Sequence, residues 1–121
     1  MLINLSNHPS NQWSQKQLSA TKRKFGSVVD LPFPYISPLA TSKQVRKRAE
    51  VYFKKIISIL KNSTDKSNAV HLMGEFTFVF YLYEMLKKNN IQVVVSTTDR
   101  IVEEKDGKKI AYFNFVKFRV I

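Results

Sequence analysis

A chain of 121 residues is one domain, with room for a single core and not for two. Hydrophobic residues make up 44% of it and aromatics 12%, which excludes a disordered chain, and the absence of cysteine excludes disulfides and thiolate metal sites. The net charge of +11 attracts polyanions such as nucleic acids, nucleotides or anionic lipid surfaces, although basic helix faces that only meet solvent carry the same signature.

That charge is uneven. Residues 1–68 hold 12 Lys/Arg against three Asp/Glu, whereas residues 69–121 hold eight against six. The opening Met1-Leu-Ile-Asn-Leu is too short and too uncharged for a signal peptide, and no run reaches the roughly 18 to 20 apolar residues that span a bilayer. The expectation is a soluble, cytoplasmic protein with no membrane contact.

Residues 2–5 read as a first strand, ended by the loop-forming Ser6-Asn-His-Pro-Ser10. Ser14 and Gln17 have capping-box spacing, so a helix starts there, places Leu18, Thr21 and Phe25 on one face, and stops at Gly26. Residues 27–31 form a second strand, after which Pro32, Pro34 and Pro38 forbid regular structure. The clearest helix spans about residues 42–61. Val45, Ala49, Phe53, Ile56, Ile57 and Leu60 recur at helical spacing on one face, and lysines and arginines cover the other.

Residues 69–73 are a third strand, apolar enough to be buried on both faces. A third helix, about residues 75–88, is apolar nearly all round. It is either deeply inserted or forms a subunit interface, and a homodimer is the expectation. Residues 91–96 make a fourth strand around Val93-Val-Val95. The equal segments 91–104 and 108–121 flank Lys105-Asp-Gly107, a hairpin turn, so the last strand runs antiparallel to the fourth. The fold class is therefore α/β. It is a single Rossmann-like domain over residues 1–121, an open and mostly parallel sheet with three helices and a C-terminal antiparallel hairpin strand.

In such a sheet the loops after the parallel strands gather along one edge, where ligands bind. Strand one brings Ser6, Asn7, His8 and Ser10, and strand two residues 32–37. Strand three brings Gly74, Glu75 and Thr77, and strand four Ser96, Thr97, Thr98, Asp99 and Arg100. Gly74 suits a turn needing positive φ or close backbone approach. His8 could bind phosphate or donate a proton to a leaving oxygen, or simply face solvent. His71, inside an apolar strand, is expected to be a buried, hydrogen-bonded histidine. Glu75 stabilises the start of its helix whether or not it does chemistry. Hydroxyls with a guanidinium, as in Thr97, Thr98 and Arg100, suit a phosphate or sugar, although Arg100 could instead pair with Asp99 or Glu103.

Trp13, Phe33 and Tyr35 flank this edge and could stack on bases, though packing is the commoner use. There is no GxGxxG, no P-loop and no nucleophile elbow. Two histidines at unrelated spacing make a poor metal set, so neither metal nor cofactor is expected.

With the segments Asn4-Leu-Ser-Asn-His-Pro-Ser10, Met73-Gly-Glu-Phe-Thr77 and Ser96-Thr-Thr-Asp-Arg100 at three strand ends, the chain resembles CRISPR-associated Rossmann-fold (CARF) domains and their ring nuclease relatives. The resemblance is architectural and spans most of the chain. It implies a symmetric dimer whose paired clefts hold a cyclic oligoadenylate in antiviral defence. It also implies cleavage without metal, a 2′-OH attacking the adjacent phosphate to leave a cyclic phosphate end. His8, Thr98 and Arg100 would then be catalytic, and Ser6, Asn7, Ser10, Gly74, Glu75, Thr77, Ser96 and Thr97 would bind ligand. The Met73–Thr77 turn departs from that pattern, because it lacks a cation and turns Glu75 toward an anion. Two other functions remain open. The chain is either a non-catalytic RNA- or DNA-binding protein using its basic helices, or an interaction subunit docking through its aromatic third helix.

Overall fold

The computed structural model describes all residues, 1–121. Its elements are β1 (Leu2–Leu5), a 3-10 turn (Ser10–Gln12), α1 (Gln15–Phe25), β2 (Val28–Asp30), α2 (Ser42–Lys61), β3 (Ala69–Leu72), α3 (Phe76–Lys88), β4 (Gln92–Lys105) and β5 (Lys108–Val120). They build one five-stranded sheet in the order β2-β1-β3-β4-β5, with β5 antiparallel to β4 and every other pair parallel. The α/β class and the terminal hairpin stand as expected.

Local chemistry sets the helix ends. The Ser14 hydroxyl accepts from the Gln17 backbone N–H at 3.2 Å and caps α1, and Gly26 closes it at φ +86°. A reciprocal capping box occurs instead at α2, where Thr41 and Gln44 each accept from the other's backbone N–H. The α2 stripe is centred on Val45, Ala49, Tyr52 and Ile56, while Phe53, Ile57 and Leu60 are only partly buried. The inward face keeps Val45, Ala49 and Ile56 as expected and takes Tyr52 in place of Phe53 as its central aromatic.

Connection direction decides which face each helix covers. From β1 the chain moves outward to β2, and from β2 and β3 it moves the other way, to β3 and β4. Crossovers of one hand that run in opposite directions lie on opposite faces. Accordingly, α2 and α3 pack over Ile3, Leu5, Val70, Leu72 and Val93, whereas the α1 residues Ala20 and Phe25 pack with Leu2, Ala69, Val94 and Phe118 on the other face. The first face is wholly apolar. At its centre Phe78 is fully buried, edge-on to Phe33 and Tyr52 at 5.1 and 5.4 Å.

Strand four does not end where expected. It continues through Lys105, so Thr97, Thr98, Asp99 and Arg100 lie within a strand and not in a loop. The last β3 pairing is His71 with Val94, and beyond it β4 has only β5 as partner. Residues 98–105 and 108–115 therefore form an arm, closed by Asp106 and Gly107 at φ +52° and +74°, the two-residue turn that matches strand twist. The β-branched and charged residues after Ser96 continue a ladder as readily as they leave it, and the turn signal fixes where it reverses.

Candidate functional site

β1 and β3 are adjacent, and the chain leaves them in opposite directions, so their carboxyl ends flank the switch point where open α/β sheets place ligands. The sequences of the two strands share one pattern. Leu2-Ile-Asn-Leu5 and Ala69-Val-His-Leu72 each carry a single polar residue at the third position, and the register sets Asn4 opposite His71. Both side chains point to the α1 face, and both are buried, at 1% and 3% exposure. Buried polar groups persist only when hydrogen-bonded, and here every one is.

The bonds assign their own direction. Asn4 Nδ2 donates to Asp30 Oδ1 at 2.8 Å and to the His8 carbonyl at 2.9 Å, two groups that can only accept. The amide orientation is therefore fixed, and Asn4 Oδ1 must accept, from the Ser6 hydroxyl at 2.8 Å and from His71 Nδ1–H at 2.9 Å. All four bonding positions of Asn4 are filled. Burial, with a smaller contribution from the neighbouring His8, pushes the His71 pKa down to about 4, so the ring is neutral at pH 7. With the proton on Nδ1, Nε2 accepts from the Ser96 hydroxyl at 2.7 Å, and Ser96 in turn accepts from Gln17 Nε2 at 3.2 Å. One relay thus runs Gln17 to Ser96 to His71 to Asn4 to Asp30, crossing α1 and all four parallel strands. Trp13 and Phe118 enclose the imidazole edge-on at 5.4 and 5.7 Å.

At the acidic end, burial raises the Asp30 pKa, and hydrogen bonds from Asn4 and Ser10 outweigh it, leaving the carboxyl below its usual value. The Ser10 backbone N–H and hydroxyl reach the two Asp30 oxygens at 3.0 and 2.7 Å.

The chemical capacity of these groups differs. Ser96, His71 and Asn4 have the connectivity of a nucleophile, base and orienting group, but an imidazole with a pKa of about 4 is a weak base at neutral pH. The relay acts as rigid support. His8 is the group it supports. Its carbonyl is held by Asn4 and by Trp13 Nε1–H at 3.0 Å, and its N–H donates to the Ser6 hydroxyl at 3.2 Å, while its imidazole is exposed.

The other expected residues divide. Ser6 and Ser10 are tied into the relay, and Asn7 is exposed beside His8. Gly74 is required by close approach, since a Cβ there would overlap the Phe33 ring, which fastens the loop after β2 over β3. Glu75 caps α3, its carboxylate accepting from the Phe78 N–H at 2.8 Å. Burial raises its pKa, and hydrogen bonds from Phe78 and Thr77 outweigh that and lower it. Thr97 Oγ1 bridges to the Lys117 backbone, accepting at 3.2 Å and donating at 3.2 Å, beside the bulge in the β4–β5 ladder.

Thr98 and Arg100 are exposed at the base of the arm, opposite Phe115 and Phe113. Arg100 has no carboxylate partner, because the one salt bridge in the molecule joins the Met1 amine to Asp65 at 3.1 Å. His8 and Ser96 meet around His71, whereas Thr98 and Arg100 extend from Ser96 along β4 away from the relay. Of the flanking aromatics, Trp13 is buried in the relay, Phe33 is packed on Phe78, and Tyr35 is 80% exposed. His, Asp and Glu side chains nowhere gather in threes with metal-binding geometry.

No curated protein and no solved structure matches the chain. A family model described as "Uncharacterized protein MJ1673 family" matches residues 1–119. The chain belongs to that family.

Proposed function

We propose that the switch point between β1 and β3 binds a nucleotide, in its most specific form a cyclic oligoadenylate as in CARF proteins, and cleaves it without metal. The observation that carries this is His8, an exposed imidazole on a backbone locked by Asn4, Ser6 and Trp13 at the mouth of the sheet. On that fixed backbone a protonated imidazole is suited to give its proton to the 5′-oxygen that leaves, as the 2′-OH attacking the phosphate releases its own proton to solvent. Farther along β4, Arg100, free of any carboxylate, supplies a guanidinium for a phosphate of the ligand remote from the one beside His8, and Thr98 a hydroxyl. The +11 charge draws such a ligand in. The protein is then a cytoplasmic defence component acting as a homodimer.

The test is incubation with cyclic and linear oligonucleotides in EDTA, resolved by chromatography and mass spectrometry. Conversion of a cyclic oligoadenylate to linear products with cyclic phosphate ends is expected, with turnover lost in His8→Ala and binding weakened in Arg100→Ala. A chain that neither binds nor converts any member of the panel would remove this proposal.

A second function is favoured by one observation. Lys43, Arg46, Lys47 and Arg48 on α2 are all exposed and none is in an ion pair, which leaves a basic face open to RNA or DNA. Binding there would weaken steeply with salt and on charge reversal at Arg46 and Lys47, and would ignore His8→Ala.

A further inference from the structure

The arm formed by residues 98–105 and 108–115 has no reason to stand alone. At about 3.3 Å per residue, the eight residues 98–105 of β4 run roughly 25 Å, and they begin four residues beyond Val94, the last to pair with β3. A two-stranded hairpin is marginal by itself in water. Yet this one, apart from the buried Phe115 at its base, is exposed on both faces and carries apolar side chains on both: Ile101 pairs with Tyr112 on one, and Val102 pairs with Ala111, two residues from Phe113, on the other. Phe113 is 65% exposed and Val102 50%. Such surface on a projecting element marks a contact.

The two edges of the arm differ. Along β4, Asp99, Arg100, Glu103, Glu104 and Lys105 give the charged edge that sheets use to prevent pairing. Along β5, Ile110-Ala-Tyr-Phe-Asn-Phe115 has no charge, no proline and no glycine, and the strand is the outermost of the sheet. That stretch is an open template for another strand.

Charge names the occupant. Residues 98–115 hold four Lys/Arg and four Asp/Glu, so the arm is neutral, while the rest of the chain holds 16 against five and carries the whole surplus. Two copies of a +11 chain repel over most of their surfaces and least at the arm, where Lys108 and Lys109 at the start of β5 are offset by Glu103, Glu104 and Asp106, with Glu104 opposite Lys109 in the ladder. An acidic protein would be drawn to the basic helices instead. We infer that the arm joins a second copy of this chain, β5 edge to β5 edge in antiparallel pairing about a two-fold axis, making one continuous sheet across both copies. The interface is isologous, as two-fold symmetry requires. It stands independently of the ligand, and it places the contact on the arm and not on the exposed, stacked Phe76 and Phe80 of α3.

The experiment is light scattering with size exclusion on the full chain, from low micromolar to submillimolar concentration, with Phe113→Lys and Phe76→Lys beside it. A dimer is expected for the parent and for Phe76→Lys. Phe113→Lys should halve the mass with an unchanged circular dichroism spectrum. If that variant misfolds, amide exchange on the parent decides: protection of residues 110–115 should rise with concentration, and concentration-independent exchange there would overturn the inference. A parent that is monomeric throughout, or a dimer that Phe76→Lys breaks and Phe113→Lys does not, would also overturn it.

Discussion

The two faces of this sheet are built from the same four parallel strands and do different work. Under α2 and α3 the inward residues are Ile3, Leu5, Val70, Leu72 and Val93, closed over by Phe78, Leu82 and Leu86 with no polar side chain among them. Under α1 the alternate positions of the same strands carry Asn4, His71 and Ser96 in a hydrogen-bonded line that ends on Asp30. The first face gains stability from area and shape, which any apolar set of similar volume supplies. The second gives up apolar area to fix direction, since Asn4 accepts where His71 donates and His71 accepts where Ser96 donates. Its consequence is that His8 is held at the switch point with its ring free. The contrast separates what makes the chain fold from what makes the edge of its sheet specific.

Substitutions and pH sharpen that contrast. Phe78→Ala should cost the most, about 3 to 5 kcal/mol in denaturant unfolding, and by the same amount at pH 7 and pH 5, because nothing it touches titrates between them. The polar face should instead answer to pH. His71 is neutral when folded, with its pKa lowered from 6.5 to about 4, so the unfolded chain binds the extra proton first. Its contribution is fully present above pH 6.5, falls as pH drops, and is spent below about 4, a total of about 3 kcal/mol. His71→Phe should flatten that part of the stability profile, and a profile that keeps its slope in this variant would break the contrast. Glu75→Ala should cost about 1 kcal/mol as a lost cap of α3. Least of all, His8→Ala should leave the melting midpoint nearly unchanged, because the fold holds the backbone of His8 and not its ring.

Much of this was legible in the sequence for identifiable reasons. Helical spacing from Val45 to Leu60, Gly26 as a stop and Asp106-Gly107 as a turn are local signals, and local signals yielded the alternation of elements. The buried state of His71 followed from its apolar neighbours. What was not legible depends on pairing. Asn4 faces His71 only because β1 and β3 are neighbours in register, although the shared apolar-apolar-polar-apolar pattern of the two strands was a signal available to be noticed. Asp30 and Gln17 enter the relay through contacts that no spacing rule describes. Thr97, Thr98 and Arg100 resembled a strand-end loop because hydroxyls and charges mark loops and exposed ladders alike, and β5 decided the matter.

The most direct measurement is a long-range proton–nitrogen NMR correlation of the two histidine rings across pH, in the free protein and with a cyclic oligoadenylate added. The account predicts that His71 stays neutral and protonated on Nδ1 down to about pH 4, and that ligand shifts the His8 ring while leaving the tautomer of His71 unchanged. A His71 that carries its proton on Nε2, or that titrates near 6.5, would contradict the relay and with it the assignment of the site.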